Sequence, residues 1–273
     1  GHRFMPDYEP EKKELASRDV VSRRMEEHIR RGKSVTTRHG DHLWLDITLL
    51  GPEHIRKRLR EVYEICQSFL GIDPTRDWIP VRPAQHYSMG GIRTDPSGHS
   101  PQLRGLFACG EAACWDLHGF NRLGGNSVAE TVVAGMIVGE AIAEWCEGEG
   151  GAGSVPLGLV REHGQQVRAE LDGILDCSGG ESATQLMEQM QRVMADHVCV
   201  FRSGPVLQLA LDELQALLRR SARVGVRSPS PGANPELVDA YRVRRMLRLA
   251  LCVVAGALAR TESRGAHFRE DFP

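Results

Sequence analysis

The chain has 273 residues, 41% hydrophobic and 26% charged, a length for one large domain or two ordinary ones with a typical globular composition. That composition excludes a disordered tail, a collagen-like repeat and a disulfide miniprotein. Thirty-four basic against 36 acidic residues give a formal charge of −2, and aromatics are only 5%. Nucleic-acid binding, which needs a clustered cationic field or stacking platforms, is not expected.

From the N-terminus, a charged stretch from Glu9 to Glu14 carries no apolar signal segment, and the first residue is Gly1, which points to a fragment or a processed product. Ser17 is placed to cap a helix running through Val20, Val21, Met25 and Ile29, with Gly32 just past its end. His42 to Ile47 alternate polar and apolar, as a short strand does. Pro52 then opens a second helix with Ile55, Leu59, Val62, Ile65 and Phe69 on one face, ended by Gly71 and Pro74.

Residues 80 to 150 are glycine-rich and apolar. Gly105 to Gly110 reads as a short buried strand with a glycine stop. Asn126 to Trp145 is a continuous, mostly uncharged helical pattern, so the helix should be buried, with Gly135 and Gly139 on one face allowing close approach of a neighbour. The following GEGGAG (Gly148 to Gly153) satisfies G-x-G-x-x-G in letter only, because it follows a helix rather than a strand; it reads as part of a linker over 148–158. Beyond it lie amphipathic helices at about 160–176, 181–199, 205–222 and 235–262, the last two separated by Pro229, Pro231 and Pro235. They predict a helical bundle.

The seven cysteines (Cys66, Cys109, Cys114, Cys146, Cys177, Cys199, Cys252) are scattered without a C-x-x-C pair. A disulfide framework or zinc site is not expected, and a reducing compartment fits. His39, His42 and His54 lack ligand spacing, so no metal site is expected. No uninterrupted apolar run reaches about 18 residues, so no membrane span is expected either.

The informative stretch is FACGEAACWDLHGFNRLGGNSVAETVVAGMIVGEAIA. A carboxylate just beyond a strand end, Glu111, is placed to accept hydrogen bonds from sugar hydroxyls. Gly124 and Gly125 let the backbone approach a planar ligand closely. Asn126 or Ser127 then starts a helix whose N-terminal N–H groups and dipole favour negative charge. The same residues also fit a plain glycine-rich turn before a core helix, with Arg122 in a structural ion pair.

This stretch, together with HYSMGG (His86 to Gly91), SRDVVSR (Ser17 to Arg23) and ESRGAHFREDFP (Glu262 to Pro273), resembles the flavoprotein subunit of the succinate dehydrogenase and fumarate reductase family. The resemblance covers essentially the whole chain, in the family's order. It implies an α+β/α multidomain fragment: the end of a capping domain (1–80), the C-terminal part of an FAD-binding α/β domain (81–150) and a helical C-terminal domain (151–273). It implies FAD as cofactor and a C4 dicarboxylate as substrate. His86 and Arg122 would bind the carboxylates, and Arg18 would move a proton at a substrate carbon, next to the carbon exchanging hydride with flavin N5. His86, Tyr87, Glu111, Arg122, Leu123, Gly124, Gly125, Asn126, Ser127 and Val128 would contact the flavin. Partners would be an iron–sulfur subunit and a membrane-anchor cytochrome b subunit, with the complex peripheral at the inner face of the cell membrane. Taken singly, Arg18 fits a solvent-facing helix charge and His86 a satisfied loop histidine. The run Arg242, Arg244, Arg245 and Arg248 fits a solvated or partner-facing helix surface.

The chain departs from the family pattern in lacking its strand–GxGxxG–helix, its covalent flavin attachment segment, its other substrate histidine and its Thr-Glu pair. The chain alone is therefore expected neither to bind FAD tightly nor to turn over. Phe120 stands where the motif usually has a small residue, and Trp115-Asp116 is distinctive; both resemble a subgroup of bacterial quinol-linked fumarate reductases. The competing functions are L-aspartate oxidase, against which Ser88-Met89 speaks, and a non-catalytic helical interaction module centred on residues 155–273.

Overall fold

The structure, a computed structural model, describes all residues except Arg38, His39, 151–155, Ser178 and Pro231, and leaves the side chains of 149 and 150 undescribed. The sequence expectations for His39, for Pro231 and for the centre of the glycine-rich linker fall outside the described residues. The chain forms two compact units, Gly1–His86 and Tyr87–Pro273.

The first unit begins with a short helix α1 (Met5–Tyr8) and α2 (Arg18–Arg30). Ser17 holds the N-cap position of α2, but its side chain makes no capping bond, unlike the expectation. Three antiparallel strands follow in the order β1 (Val35–Thr37), β2 (Gly40–Leu45), β3 (Ile79–Val81). Between β2 and β3 the expected single helix is broken. It runs as α3 (Pro52–Arg58), kinks at Leu59 (φ −121°, ψ 36°), and resumes as α4 (Arg60–Ile65). Of its apolar face only Ile55 is fully buried, Leu59 is half-buried, and Val62, Ile65 and Phe69 stay exposed; the unit's other buried apolar residues include Met5, Leu43, Cys66 and Ile79.

The second unit opens with a two-residue parallel ladder, β4 (Ile92–Arg93) with β5 (Ala113–Cys114). The strand expected at 105–110 is reduced to an isolated bridge between His99 and Phe107. A ladder needs a partner along its length, and the neighbouring chain at Gly98 and Ser100 supplies only two backbone bonds, Ala108 N to Gly98 O and Ser100 N to Leu106 O. The long helix α5 (Asn126–Trp145) starts where expected, but it is not buried: only Glu130, Ala134 and Val138 are, and Val128, Val132 and Met136 are exposed. The segments packed on it cover one side only, and a Cβ at Gly135 or Gly139 would meet nothing within 4 Å. By length and composition alone, Asn126–Gly148 is long and apolar enough to cross a membrane. Its apolar stretch is interrupted by Glu130, Glu140 and Glu144. The core helix of a soluble protein meets the same criterion.

The C-terminal helices are α6 (Leu157–Asp176), α7 (Ala183–His197), α8 (Gly204–Arg220) and α9 (Pro235–Ala259). Val243, Leu247, Ala250, Val254 and Ala257 recur at three- and four-residue intervals along α9 and are all buried. They meet Leu186 and Met190 of α7 and Leu207, Ala210 and Leu214 of α8 in one core. Caps are local: Ser182 Oγ accepts from Gln185 N on α7, and Asn234 Oδ1 accepts from Leu237 N before Pro235 at the first turn of α9. Two further parallel ladders close the bundle: β6 (Glu181–Ser182) with β8 (Val224–Gly225), and β7 (Phe201–Arg202) with β9 (Phe268–Arg269). From β9 the buried Arg269 donates through Nη1 to Ala257 O, Leu258 O and Arg260 O, satisfying carbonyls at the end of α9.

Candidate functional site

The first unit carries two of the residues singled out from sequence. Arg18 is the first residue of α2 and is exposed; His86 lies exposed in the loop that ends the unit. The second unit carries the others and brings two of them, Tyr87 and Arg122, together beside one buried carboxylate.

Two loops are tied together first. Gly110–Ala112 form a tight turn, and the Glu111 carboxylate accepts a hydrogen bond from Ser88 N at 2.7 Å, joining HYSMGG to FACGE. The join depends on glycine. Gly91 has φ 129°, and a Cβ there would lie 2.4 Å from Ala112 O.

Arg122 is buried, with 6% of its surface exposed. Its guanidinium lies over the Tyr87 ring, 4.6 Å from the centroid. Nη1 donates to Leu123 O at 3.0 Å, and Nε is buried without a hydrogen-bond partner among the described residues. Such an orphaned buried donor costs stability unless something else meets it. The structural ion pair considered for Arg122 is replaced by this stacking on Tyr87.

Glu130, one turn into α5, was not among the residues singled out from sequence. Its carboxylate accepts from Trp115 Nε1 at 2.9 Å and from the Tyr87 hydroxyl at 3.1 Å, and lies 2.7 Å from His118 Nε2. Burial works against its charge, yet the hydrogen bonds from Trp115, His118 and Tyr87 hold it below the usual carboxylate range. The Tyr87 phenol is pushed up to about 12 by burial and then by the hydrogen bond to Glu130 and its negative charge. A lone acid inside the apolar run SVAETVV is the signal that marks Glu130 in hindsight, since a buried charge must be paired.

Leu123, Gly124, Gly125, Asn126 and Val128 form an exposed rim, with Ser127 half-buried. Gly125 precedes α5 in the left-handed conformation (φ 84°) and offers no side-chain cap, so the first-turn N–H groups keep their positive end. Phe120, the unusual residue of the motif, packs on Gly265 of the C-terminal SRGAH segment: a Cβ at Gly265 would lie 2.3 Å from the ring. Among the described residues there is no group of three or more His, Cys, Asp or Glu arranged to hold a metal ion.

The second unit thus joins a buried arginine on an aromatic platform, beside a glycine-rich helix start, to a helical C-terminal bundle. Residues 1–128 match the model of an FAD binding domain, and residues 187–273 match that of the fumarate reductase flavoprotein C-terminus. The chain is 49% identical to the fumarate reductase flavoprotein subunit of Helicobacter pylori, over 100% of this chain and 42% of that protein. It is 39% identical to the succinate dehydrogenase flavoprotein subunit of Rickettsia bellii, over 100% and 46%. A solved quinol–fumarate reductase with menaquinol molecules superposes with a TM-score of 0.90 at 34% identity, covering 99% of this chain and 48% of that one. The chain belongs to the family of fumarate reductase and succinate dehydrogenase flavoprotein subunits, whose cofactor is FAD. It spans under half the length of these relatives. Neither L-aspartate oxidase nor a non-catalytic module is favoured by these matches.

Proposed function

We propose that the chain carries the substrate-facing part of an FAD-dependent oxidoreductase that interconverts succinate and fumarate. The observation that carries this reading is Arg122, buried, stacked on Tyr87 and with Nε unpartnered. A planar guanidinium with a free edge is suited to a carboxylate, which it grips through two parallel hydrogen bonds.

The residues present also suit FAD. The Gly124-Gly125 turn carries no side chain that would fill the approach to α5, whose uncapped first turn favours an anionic ring. Glu111, Asn126, Ser127, the Arg122–Val128 backbone and the His86-Tyr87 pair would hold the cofactor. When bound, FAD supplies the hydride acceptor or donor. The protein's own side chains do the rest. Arg122 and His86 orient the two carboxylates, and Arg18 delivers or removes the proton at the carbon beside the one that exchanges hydride. An arginine ordinarily holds its proton up to a pH above about 12, so this transfer requires the substrate's developing charge and a relay to draw the proton off.

On this reading residues 1–80 are the end of a capping domain, 81–150 the C-terminal part of the flavin domain, and 151–273 the helical domain. The partners would be an iron–sulfur subunit and a membrane-anchor cytochrome b subunit, holding the flavoprotein at the inner face of the membrane. The exposed α9 arginines Arg242 and Arg248 would face such a partner, whereas Arg245 pairs with Glu170 of α6 at 3.1 Å.

The test compares the complete flavoprotein, assembled with its partners, with its Arg18→Gln variant in dye-linked succinate oxidation and fumarate reduction. Loss of both activities with the flavin spectrum retained supports the reading. Activity on neither substrate in the wild type, with peroxide formed from L-aspartate, overturns it.

A further inference from the structure

We propose that Glu130 is a positioning residue for dicarboxylate binding, acting through Tyr87 on Arg122. The inference rests on the reading that Arg122 binds a substrate carboxylate. Three donors converge on Glu130 inside the fold: Trp115 on Oε1, and Tyr87 and His118 on Oε2. An ionised carboxylate offers about four lone-pair sites and no donor, so it alone can accept all three at once. The result is a fixed Tyr87. Its hydroxyl is held by Glu130, its ring meets His118 edge-on at 5.4 Å, and its face lies under the Arg122 guanidinium. Arg122 itself donates from Nη1 to the carbonyl of the next residue, and its buried Nε has no partner among the described residues. The long arginine side chain therefore takes its position from the tyrosine platform, and the platform takes its own from Glu130. On this proposal Glu130 acts through Tyr87 rather than directly on the substrate. It shapes the binding step by pre-organising the cation before the anion arrives.

The experiment uses the complete flavoprotein with its FAD and partner subunits. Fumarate Kd by calorimetry, fumarate KM and kcat, and FAD content are measured for wild type, Glu130→Gln, Tyr87→Phe and the double variant. Glu130→Gln keeps the shape but replaces one acceptor oxygen with a donor. Its KM and Kd should rise about tenfold or more, kcat should change less than about threefold, and FAD content should hold. Tyr87→Phe keeps the ring but removes the hydroxyl, and should give a smaller rise in the same two constants. The double variant should be no worse than Glu130→Gln, because both changes cut the same link. Unchanged Kd and KM in both single variants overturn the proposal, as do independent effects that multiply in the double variant. If Glu130→Gln fails to fold or loses FAD, Tyr87→Phe decides: a raised Kd supports the link, and a normal Kd leaves Glu130 a purely structural acid and overturns the proposal. A wild type that binds no dicarboxylate refutes the proposed function itself, and the two failures are thereby told apart.

Discussion

Leu247 and Leu249 stand two residues apart on α9 and should respond very differently to truncation. Leu247 is 0% exposed in the core shared with α7 and α8, whereas Leu249 is 66% exposed. Leu247→Ala removes three carbons from the core. At about 0.8 kcal/mol per buried carbon the transfer loss is about 2.4 kcal/mol, and the unfilled cavity brings the total to about 3–4 kcal/mol. Leu249→Ala removes the same atoms from solvent and should cost under about 0.5 kcal/mol. The assay is equilibrium urea unfolding of the chain followed by helical circular dichroism. The midpoint should fall for Leu247→Ala at an unchanged denaturant slope, and a thermal scan should show a drop of roughly 10 °C. Equal midpoints for the two variants, or a Leu247→Ala cost below about 1 kcal/mol, would refute the packing assigned to α9.

Gly265→Ala should destabilise the second unit, because the new Cβ would lie 2.3 Å from the Phe120 ring at a φ of 58°. Adding Phe120→Ala should recover part of the loss, and a thermal-shift comparison of single and double variants shows whether it does. His267 Nδ1 lies 2.6 Å from an Arg202 guanidinium nitrogen. Burial, then the Arg202 charge, push its pKa below the ordinary 6.5. The unfolded imidazole therefore takes up a proton near 6.5 while the folded one resists, so stability should fall as pH drops below 6.5 towards the lower folded value. Urea titrations at several pH values should show a shallower acid slope for His267→Gln than for wild type; equal slopes would remove His267 as the cause. In the complete flavoprotein, Arg122→Lys keeps the charge but loses the planar fork and the stacking on Tyr87, and should raise fumarate KM by about tenfold or more in steady-state assays.

The helical bundle was the most legible part of the fold. In α9 the stripe Val243, Leu247, Ala250, Val254 and Ala257 is buried while Met246, Leu249 and Val253 face outward, and the expected helices at 160–176 and 235–262 are found as Leu157–Asp176 and Pro235–Ala259. The start of α5 was legible too, because Gly124 and Gly125 interrupt the chain just before an unbroken helical pattern. Burial was not. The apolar character of α5 suggested a helix enclosed on all sides, yet in this chain only the side bearing Glu130, Ala134 and Val138 is covered. Pattern states what a helix could bury, and the packing partners decide what it does bury. The 105–110 segment failed as a strand for a related reason. Propensity proposes an extended chain, but a ladder also requires neighbouring backbone in register.

The candidate site divides along the same line. Residue chemistry marked Glu111, Arg122 and the glycine turn before α5, and the family resemblance carried by HYSMGG added Tyr87. The sequence also determined that two separated loops would carry them. Only the tertiary structure decided that Glu111 ties one loop to the other, that Arg122 rests on Tyr87 rather than in an ion pair, and that a single buried acid collects Tyr87, Trp115 and His118. Those are contacts between residues up to 43 positions apart, and local propensity carries no information about them. Glu130, a lone acid in an apolar run, shows in sequence only as a charge that must be paired; which donors pair it is decided by folding.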